Sequence, residues 1–67
     1  MEIFKERLKE LRVDKGLTQK QLAAEIGCVQ SAVNNWENGN RVPNAMAIIT
    51  LAKYFKVSAD YLLGLED

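Results

Sequence analysis

The chain has no histidine, only one cysteine and one proline, and no excess of charge of either sign. Without histidine, neither a nucleophile–base pair nor a metal site of cysteine and histidine can be assembled, so we expect no enzyme activity and no cofactor. The single cysteine, Cys28, has no partner for an internal disulfide. We therefore predict that Cys28 is a small buried hydrophobic residue in a protein of the reducing cytoplasm.

Long hydrophobic runs are also absent, so these residues contain neither a membrane-spanning segment nor a signal-peptide core. The 67 residues, 48% of them hydrophobic, suffice for one globular domain with a small core, which we assign to residues 1–67. Nine basic residues balance nine acidic residues. Because many nucleic-acid-binding domains are clearly basic, this composition does not by itself indicate DNA as a partner.

The middle of the chain predicts two short helices joined by a tight turn. Thr18 and Gln21 form the pattern of a capping box, which places the start of a helix at Gln19. Gly27 suits the left-handed conformation that closes a helix. Apolar residues at helical spacing predict the buried faces of the two helices: Leu22, Ala23 and Ile26, followed by Val29, Val33 and Trp36.

Helices are also predicted on both sides of this unit. Phe4, Leu8 and Leu11 share one face of a helix that ends at Gly16. Asn44 and Ser58 are credible N-caps of two further helices, the last of which Gly64 closes. The apolar stripe of the fourth helix is predicted to comprise Ala45, Ile48, Ile49, Ala52 and Phe55, with Leu51 beside it. The sequence therefore predicts an all-α domain of five short helices.

The third helix, at about residues 30–38, has a polar face opposite Val33 and Trp36. Side-chain amides are only moderate helix formers, but each carries a donor and an acceptor and can bind an adenine edge through both. Such a face is either an ordinary solvated surface or a surface that reads bases. It consists of Gln30, Ser31, Asn34, Asn35 and Asn38.

Three segments, LTQKQLAAEIG, QSAVNNWENG and VPNAMAIITLAKYFKVSADYLLG, resemble the Cro/repressor-type (XRE, lambda-repressor-like) helix-turn-helix family. The likeness covers essentially the whole chain. It implies a five-helix lambda-repressor-like domain with the helix-turn-helix at helices 2 and 3. It further implies a sequence-specific DNA-binding transcriptional regulator whose third helix enters the major groove.

The resemblance also implies roles for individual residues. Gln30, Ser31, Asn34 and Asn35 would read base edges. Thr18, Gln19, Asn38 and Arg41 would contact phosphates, and such contacts carry no sequence information. Arg12 and Glu37, which border apolar stripes, would form a structural ion pair beneath the third helix.

Two features of the third helix depart from the family pattern. Val29 stands where Ser or Thr usually caps this helix, and the loss of such a cap costs about 1 kcal/mol. Arginine and lysine, the usual readers of guanine, are absent from the helix. We therefore predict that the contacted positions favour A·T pairs, read chiefly by Gln30 and Asn34.

The partners implied by the resemblance are a double-stranded DNA operator and a second copy of the chain. The apolar residues Tyr61, Leu63 and Leu65 are predicted to form the homodimer contact near the C-terminal end. Repression in the cytoplasm of a bacterium, by a bacterial or phage-encoded protein, is the expected outcome. The alternative is an antitoxin or protein-interaction module of the same fold, which the zero net charge favours.

Overall fold

The computed structural model describes residues 2–66, and within them it contains five α-helices and no strand. The helices are α1 (Glu2–Asp14), α2 (Gln19–Ile26), α3 (Gln30–Asn38), α4 (Ala45–Phe55) and α5 (Ala59–Leu63). The predicted all-α, five-helix architecture is confirmed. Over this part of the chain, none of the helices combines the length and the apolar character needed to cross a membrane.

The helix boundaries follow from local hydrogen bonds that the sequence predicted. The Thr18 hydroxyl accepts the Gln21 backbone N–H at 3.0 Å, and the Gln21 side chain accepts the Thr18 N–H at 2.9 Å. Both halves of the capping box are therefore present. The side chains of Asn44 and Ser58 likewise cap α4 and α5. These bonds satisfy backbone donors that the first turn of a helix would otherwise leave without a partner.

The core lies where the inner faces of the five helices meet, and α3 packs against both α1 and α2. Its largest fully buried side chains, each less than 2% exposed, are Phe4, Leu8, Leu22, Val33, Leu51 and Leu62. Trp36, Ile48 and Ala52, each 8% exposed, and Ala23, 3% exposed, also belong to it. Each helix therefore contributes at least one fully or nearly fully buried side chain, and the core fixes the position of α3 relative to α1 and α2.

Four predictions about buried residues are wrong: Val29, Ala45 and Ile49 are exposed, and Cys28 is only partly buried. Val29 is 66% exposed, because it is the N-cap of α3 and its extended backbone (φ −91°) removes it from the helical period. Ile49 is 45% exposed, whereas Leu51 is fully buried. The buried stripe of α4 is narrow and follows Ile48, Leu51 and Ala52, and Ile49 is rotated about 100° from Ile48.

Cys28 is only partly buried, against the edge of the core, and not fully buried as predicted. Its backbone N–H donates to the Ala23 carbonyl at 2.9 Å, which holds the turn after α2. Burial raises the pKa of the Cys28 thiol above its usual value. The thiol therefore belongs to the turn that precedes α3 and is protonated at neutral pH.

Candidate nucleic-acid interface

Helices α2 and α3 form a compact unit joined by Gly27, Cys28 and Val29. Gly27 takes the left-handed conformation (φ 76°) and donates its N–H to the Ala23 carbonyl, so α2 stops within one residue. At the other end of α3, Gly39 is also left-handed (φ 77°), and its N–H is directed at the Asn35 and Trp36 carbonyls. Val33 and Trp36 are buried. The opposite face of α3 is consequently directed outward.

An ion pair between Arg12 of α1 and Glu37 of α3 fixes the back of this helix. Arg12 Nε lies 2.7 Å from Glu37 Oε2, and Arg12 Nη2 lies 3.0 Å from Glu37 Oε1. The side chains are 13% and 3% exposed, respectively. Arg12 Nη1 also donates to the Leu17 carbonyl at 2.7 Å. The hydrogen bond to Glu37 raises the pKa of Arg12, against the opposing effect of burial.

Three side-chain amides continue from Glu37 to the outer face of α3. Gln19 Nε2 donates to Glu37 Oε1 at 3.2 Å, and Asn34 Nδ2 donates to Gln19 Oε1 at 3.2 Å. Asn38 Nδ2 donates to Asn34 Oδ1 at 3.1 Å. We call Gln19, Asn34 and Asn38 the amide chain. The structure thus joins two expected phosphate contacts, Gln19 and Asn38, to an expected base reader, Asn34, which sequence reasoning treated as independent.

The other residues expected to contact DNA lie around the amide chain. Gln30 and Ser31 are exposed at the start of α3, and Arg41 is exposed after its end. Asn35 is half-buried, and its carbonyl accepts the Asn40 N–H at 3.0 Å. Thr18 is exposed at the start of α2, where its oxygen serves the capping box. The structure therefore places Gln30, Ser31 and Asn34 outward and leaves Asn35 less accessible than they are.

The sequence analysis assigned no role to Lys5, whose side chain lies beside Gly39 at the end of α3. A Cβ atom on Gly39 would lie 3.4 Å from Lys5 Cδ and 3.7 Å from Lys5 Nζ. The ammonium group also lies 3.3 Å from Glu2 Oε1. A cation at this end of α3 interacts favourably with the helix dipole. The signal was available, because Lys5 precedes Arg12 by seven residues and so shares its face of α1.

Most of the acidic residues of α1 are on a different side of that helix from Lys5 and Arg12. Glu2, Glu6, Glu10 and Asp14 recur every four residues and form an exposed row, which we call the acidic row. Glu2 pairs with Lys5, but helical geometry rotates Glu6, Glu10 and Asp14 away from Lys5 and Arg12, the side chains that reach α3. On α3 itself the only charged side chain is Glu37, and Arg12 neutralises it.

The C-terminal end provides less free apolar surface than predicted. Tyr61 is half-buried, and the Arg7 guanidinium lies 4.1 Å from the centre of its ring. Arg7 also donates to the Tyr61 backbone carbonyl. Leu63 and Leu65 are 39% and 74% exposed, respectively. The exposed apolar surface here is therefore centred on Leu65, and Tyr61 is engaged within the domain.

A helix, a glycine turn and a second helix with an outward polar face define a helix-turn-helix domain. Residues 8–62 match the helix-turn-helix family HTH_3, so the chain belongs to the helix-turn-helix family of the Cro/repressor (XRE) type. The expected family and fold are thereby confirmed. Members of this family are DNA-binding transcriptional regulators and not enzymes, which agrees with the residue inventory.

Relatives of known sequence support this assignment. The chain is 39% identical over 64 residues to the HTH-type transcriptional activator BcrR of Enterococcus faecalis, covering 96% of this chain and 31% of BcrR. It is 38% identical over 61 residues to the HTH-type transcriptional regulator YazB of Bacillus subtilis, covering 91% of this chain and 88% of YazB. Across BcrR and three Bacillus subtilis relatives, the chain spans only 31% to 58% of their length.

Solved structures with the same fold include a repressor bound to DNA. The P22 c2 repressor in complex with a synthetic operator matches with a TM-score of 0.84 at 28% identity, over 90% of this chain and 91% of the repressor. The restriction-modification controller protein C.AhdI of Aeromonas hydrophila matches with a TM-score of 0.79 at 37% identity, over 88% of this chain and 89% of C.AhdI.

Proposed function

We propose that the chain binds double-stranded DNA with α3 in the major groove and acts as a transcriptional regulator. The observation that carries the proposal is the outer face of α3, which holds amide side chains and no charge while its inner face is fixed by the core and the Arg12–Glu37 pair. A rigid helix that displays donor and acceptor pairs is suited to reading base edges. The operator complex of the similarly folded P22 c2 repressor supports it.

The residues proposed to read bases lie at the start and along the outside of α3. Gln30 and Ser31 occupy the first turn, Asn34 follows one turn later, and the half-buried Asn35 contributes a weaker or backbone contact. An amide donates to adenine N7 and accepts from adenine N6. Because the helix has no arginine or lysine, the half-sites are proposed to be rich in A·T pairs at the contacted positions.

DNA phosphates are proposed to be bound around α3 mainly by polar groups and by few positively charged side chains. Arg41 supplies an exposed cation beyond the end of the helix, and Thr18 and Gln19 lie at the N-terminus of α2, where backbone N–H groups and the helix dipole favour an anion. Asn38 is proposed as a further contact. Neutralisation of a few phosphates predicts a shallow but measurable decrease in affinity as salt rises, since the slope scales with their number.

Binding is proposed to involve two copies of the chain on a near-palindromic operator. One short helix contacts only a few base pairs, so specificity requires two half-sites about 34 Å apart. Leu63 and the 74% exposed Leu65 are the proposed contact between the copies, with Tyr61 positioned behind them. This surface is small, and the dimer is therefore expected to form mainly on DNA.

Repression of transcription is proposed as the outcome of binding. The protein is proposed to act in the bacterial cytoplasm and to be encoded by the bacterium or by a phage. The P22 c2 protein is a repressor, whereas BcrR is named an activator. Transcription from a promoter that overlaps the selected operator, measured with and without the protein, separates the two outcomes. A decrease supports repression, and an increase contradicts it.

The test of DNA recognition is selection of bound sequences from random duplexes with the parent, Gln30→Ala and Arg41→Ala proteins. Gln30→Ala is expected to lose about 1–3 kcal/mol of binding free energy at one base pair, and the preference for a particular base there should become weaker. Arg41→Ala is the matched control and should weaken all duplexes alike. An unchanged preference in Gln30→Ala would remove Gln30 from the base readers. If the parent binds no duplex even at low salt, a protein-interaction module or antitoxin of the same fold becomes the better description.

A further inference from the structure

The hydrogen bonds of the amide chain all run in one direction. Asn38 donates to Asn34, Asn34 donates to Gln19, and Gln19 donates to Glu37. Each of the three amides therefore directs its NH2 group toward Glu37. Only the carboxylate at the end of the chain accepts without donating.

Glu37 provides the reason for this direction. Both of its oxygens accept from Arg12, and its side chain is 3% exposed. The carboxylate is therefore held in one orientation and shielded from water. A reversed Gln19 would place its own oxygen 3.2 Å from Glu37 Oε1, where two acceptors repel. Gln19 must then direct its oxygen at Asn34, which in turn must offer its NH2. The usual ambiguity of amide orientation is removed by one carboxylate.

Asn34 retains the groups that base recognition requires. One N–H of its NH2 group donates to Gln19, and one lone pair of its oxygen accepts from Asn38. One N–H and one lone pair remain for a bidentate contact with an adenine edge. Since Asn34 is exposed on the outer face of α3, these two groups are presented in a fixed order before any DNA arrives.

We propose that Glu37, acting through Gln19, sets the orientation in which Asn34 presents its amide to the base pair. Gln19 is thus a positioning residue for base reading as well as a phosphate contact. This inference rests on the proposed function, because it concerns the base pair that Asn34 reads. It changes one expectation: substitution of Gln19 alters sequence preference and does not simply weaken every duplex.

The first part of the test uses the free protein and needs no DNA. In the parent, NMR is expected to show that the side-chain NH2 of Asn34 exchanges with water several-fold more slowly than that of the exposed Gln30. Gln19→Met keeps the Arg12–Glu37 pair and a similar side-chain length, and it should raise the Asn34 rate to that of Gln30. Asn40 is not part of the amide chain, so Asn40→Ser is the control and should leave the exchange rate of the Asn34 NH2 group unchanged. Equal rates for Asn34 and Gln30 in the parent would overturn the inference.

The second part measures sequence preference. At the base pair that depends on Asn34, identified with Asn34→Ala, the parent is expected to discriminate about tenfold or more. Gln19→Met should lose most of this discrimination, and adding Asn34→Ala to it should cause little further loss, since both changes disable one reader. Equal weakening of all duplexes by Gln19→Met, with its preference unchanged, would refute the positioning role and leave the proposed function intact. A parent that binds no duplex would refute both.

Discussion

Removal of the Glu37 charge should strongly destabilise the domain. Glu37→Gln keeps the shape of the side chain but leaves the Arg12 guanidinium, only 13% exposed, without a counter-charge. Arg12 would retain its bond to the Leu17 carbonyl and one bond to the new amide oxygen. The substitution therefore removes the charge and one hydrogen-bond acceptor while it keeps the volume of the side chain.

The size of the effect follows from burial. Breaking a buried pair by removing one partner costs about 3–5 kcal/mol. Because Arg12 keeps a carbonyl partner and is partly exposed, we expect a loss of unfolding free energy at the lower end of this range, about 3 kcal/mol. A domain of this size loses about 4–8 °C in Tm for each kcal/mol, so Tm should fall by about 12–24 °C. This is a large fraction of the roughly 3–10 kcal/mol that a chain of 67 residues has in total.

Urea unfolding and thermal melting of two further variants complete the experiment. Glu2→Gln breaks an exposed i,i+3 pair with Lys5 and should melt close to the parent. The double variant Arg12→Met, Glu37→Met removes both charges and should recover much of the loss, because a buried pair can be replaced by apolar residues at little cost. A Glu37→Gln protein that melts within a degree or so of the parent would show that water already solvates Arg12 and that the reasoning is wrong.

The remaining predictions concern the cap, the thiol and the C-terminal surface. Val29→Thr should stabilise the domain by about 1 kcal/mol, since Val29 holds the N-cap conformation without a capping bond, whereas Thr18→Ala should cost about the same; both are measured by urea unfolding. Burial raises the folded-state pKa of Cys28, so its contribution to stability is complete below the unfolded pKa and is lost as pH rises through the folded pKa. As pH rises above about 8.5, the ordinary pKa of a thiol, the parent should therefore lose more stability than Cys28→Ala, and parallel curves would contradict this. Leu65→Asp should abolish a dimer seen by sedimentation on a palindromic duplex, while Met46→Asp, also exposed, should not.

Local signals predicted most of the fold because each acts over a few residues. Thr18 with Gln21, and Asn44 and Ser58 alone, satisfy backbone groups within their own first turn, and those caps formed as expected. Burial was predicted less well where it depends on neighbouring helices. Ile49 was predicted within the apolar stripe of α4 and Leu51 beside it, but both are apolar, and only the positions of the surrounding helices decide that Leu51 is the buried one.

The candidate site was predicted as a set of residues but not as an arrangement. Periodicity places Asn34 and Asn38 on one face of α3, but it cannot show that Gln19 from α2 reaches both Asn34 and Glu37. Tyr61 illustrates the same limit, since Arg7, 54 positions away, covers its ring. Contacts between distant segments depend on tertiary geometry, which spacing along one helix does not contain.

The acidic row of α1 is expected to give the domain an electric dipole although the net charge of the chain is zero. The acidic row is exposed on α1, whereas Lys20 lies in the first turn of α2 and Arg41 follows α3, so the positive end is expected on the side of these two helices. In the field of a polyanion such a molecule experiences a torque although its net attraction is small. We therefore expect the domain to turn its recognition helix toward DNA at close range and to have little long-range pull toward anionic surfaces of any other kind.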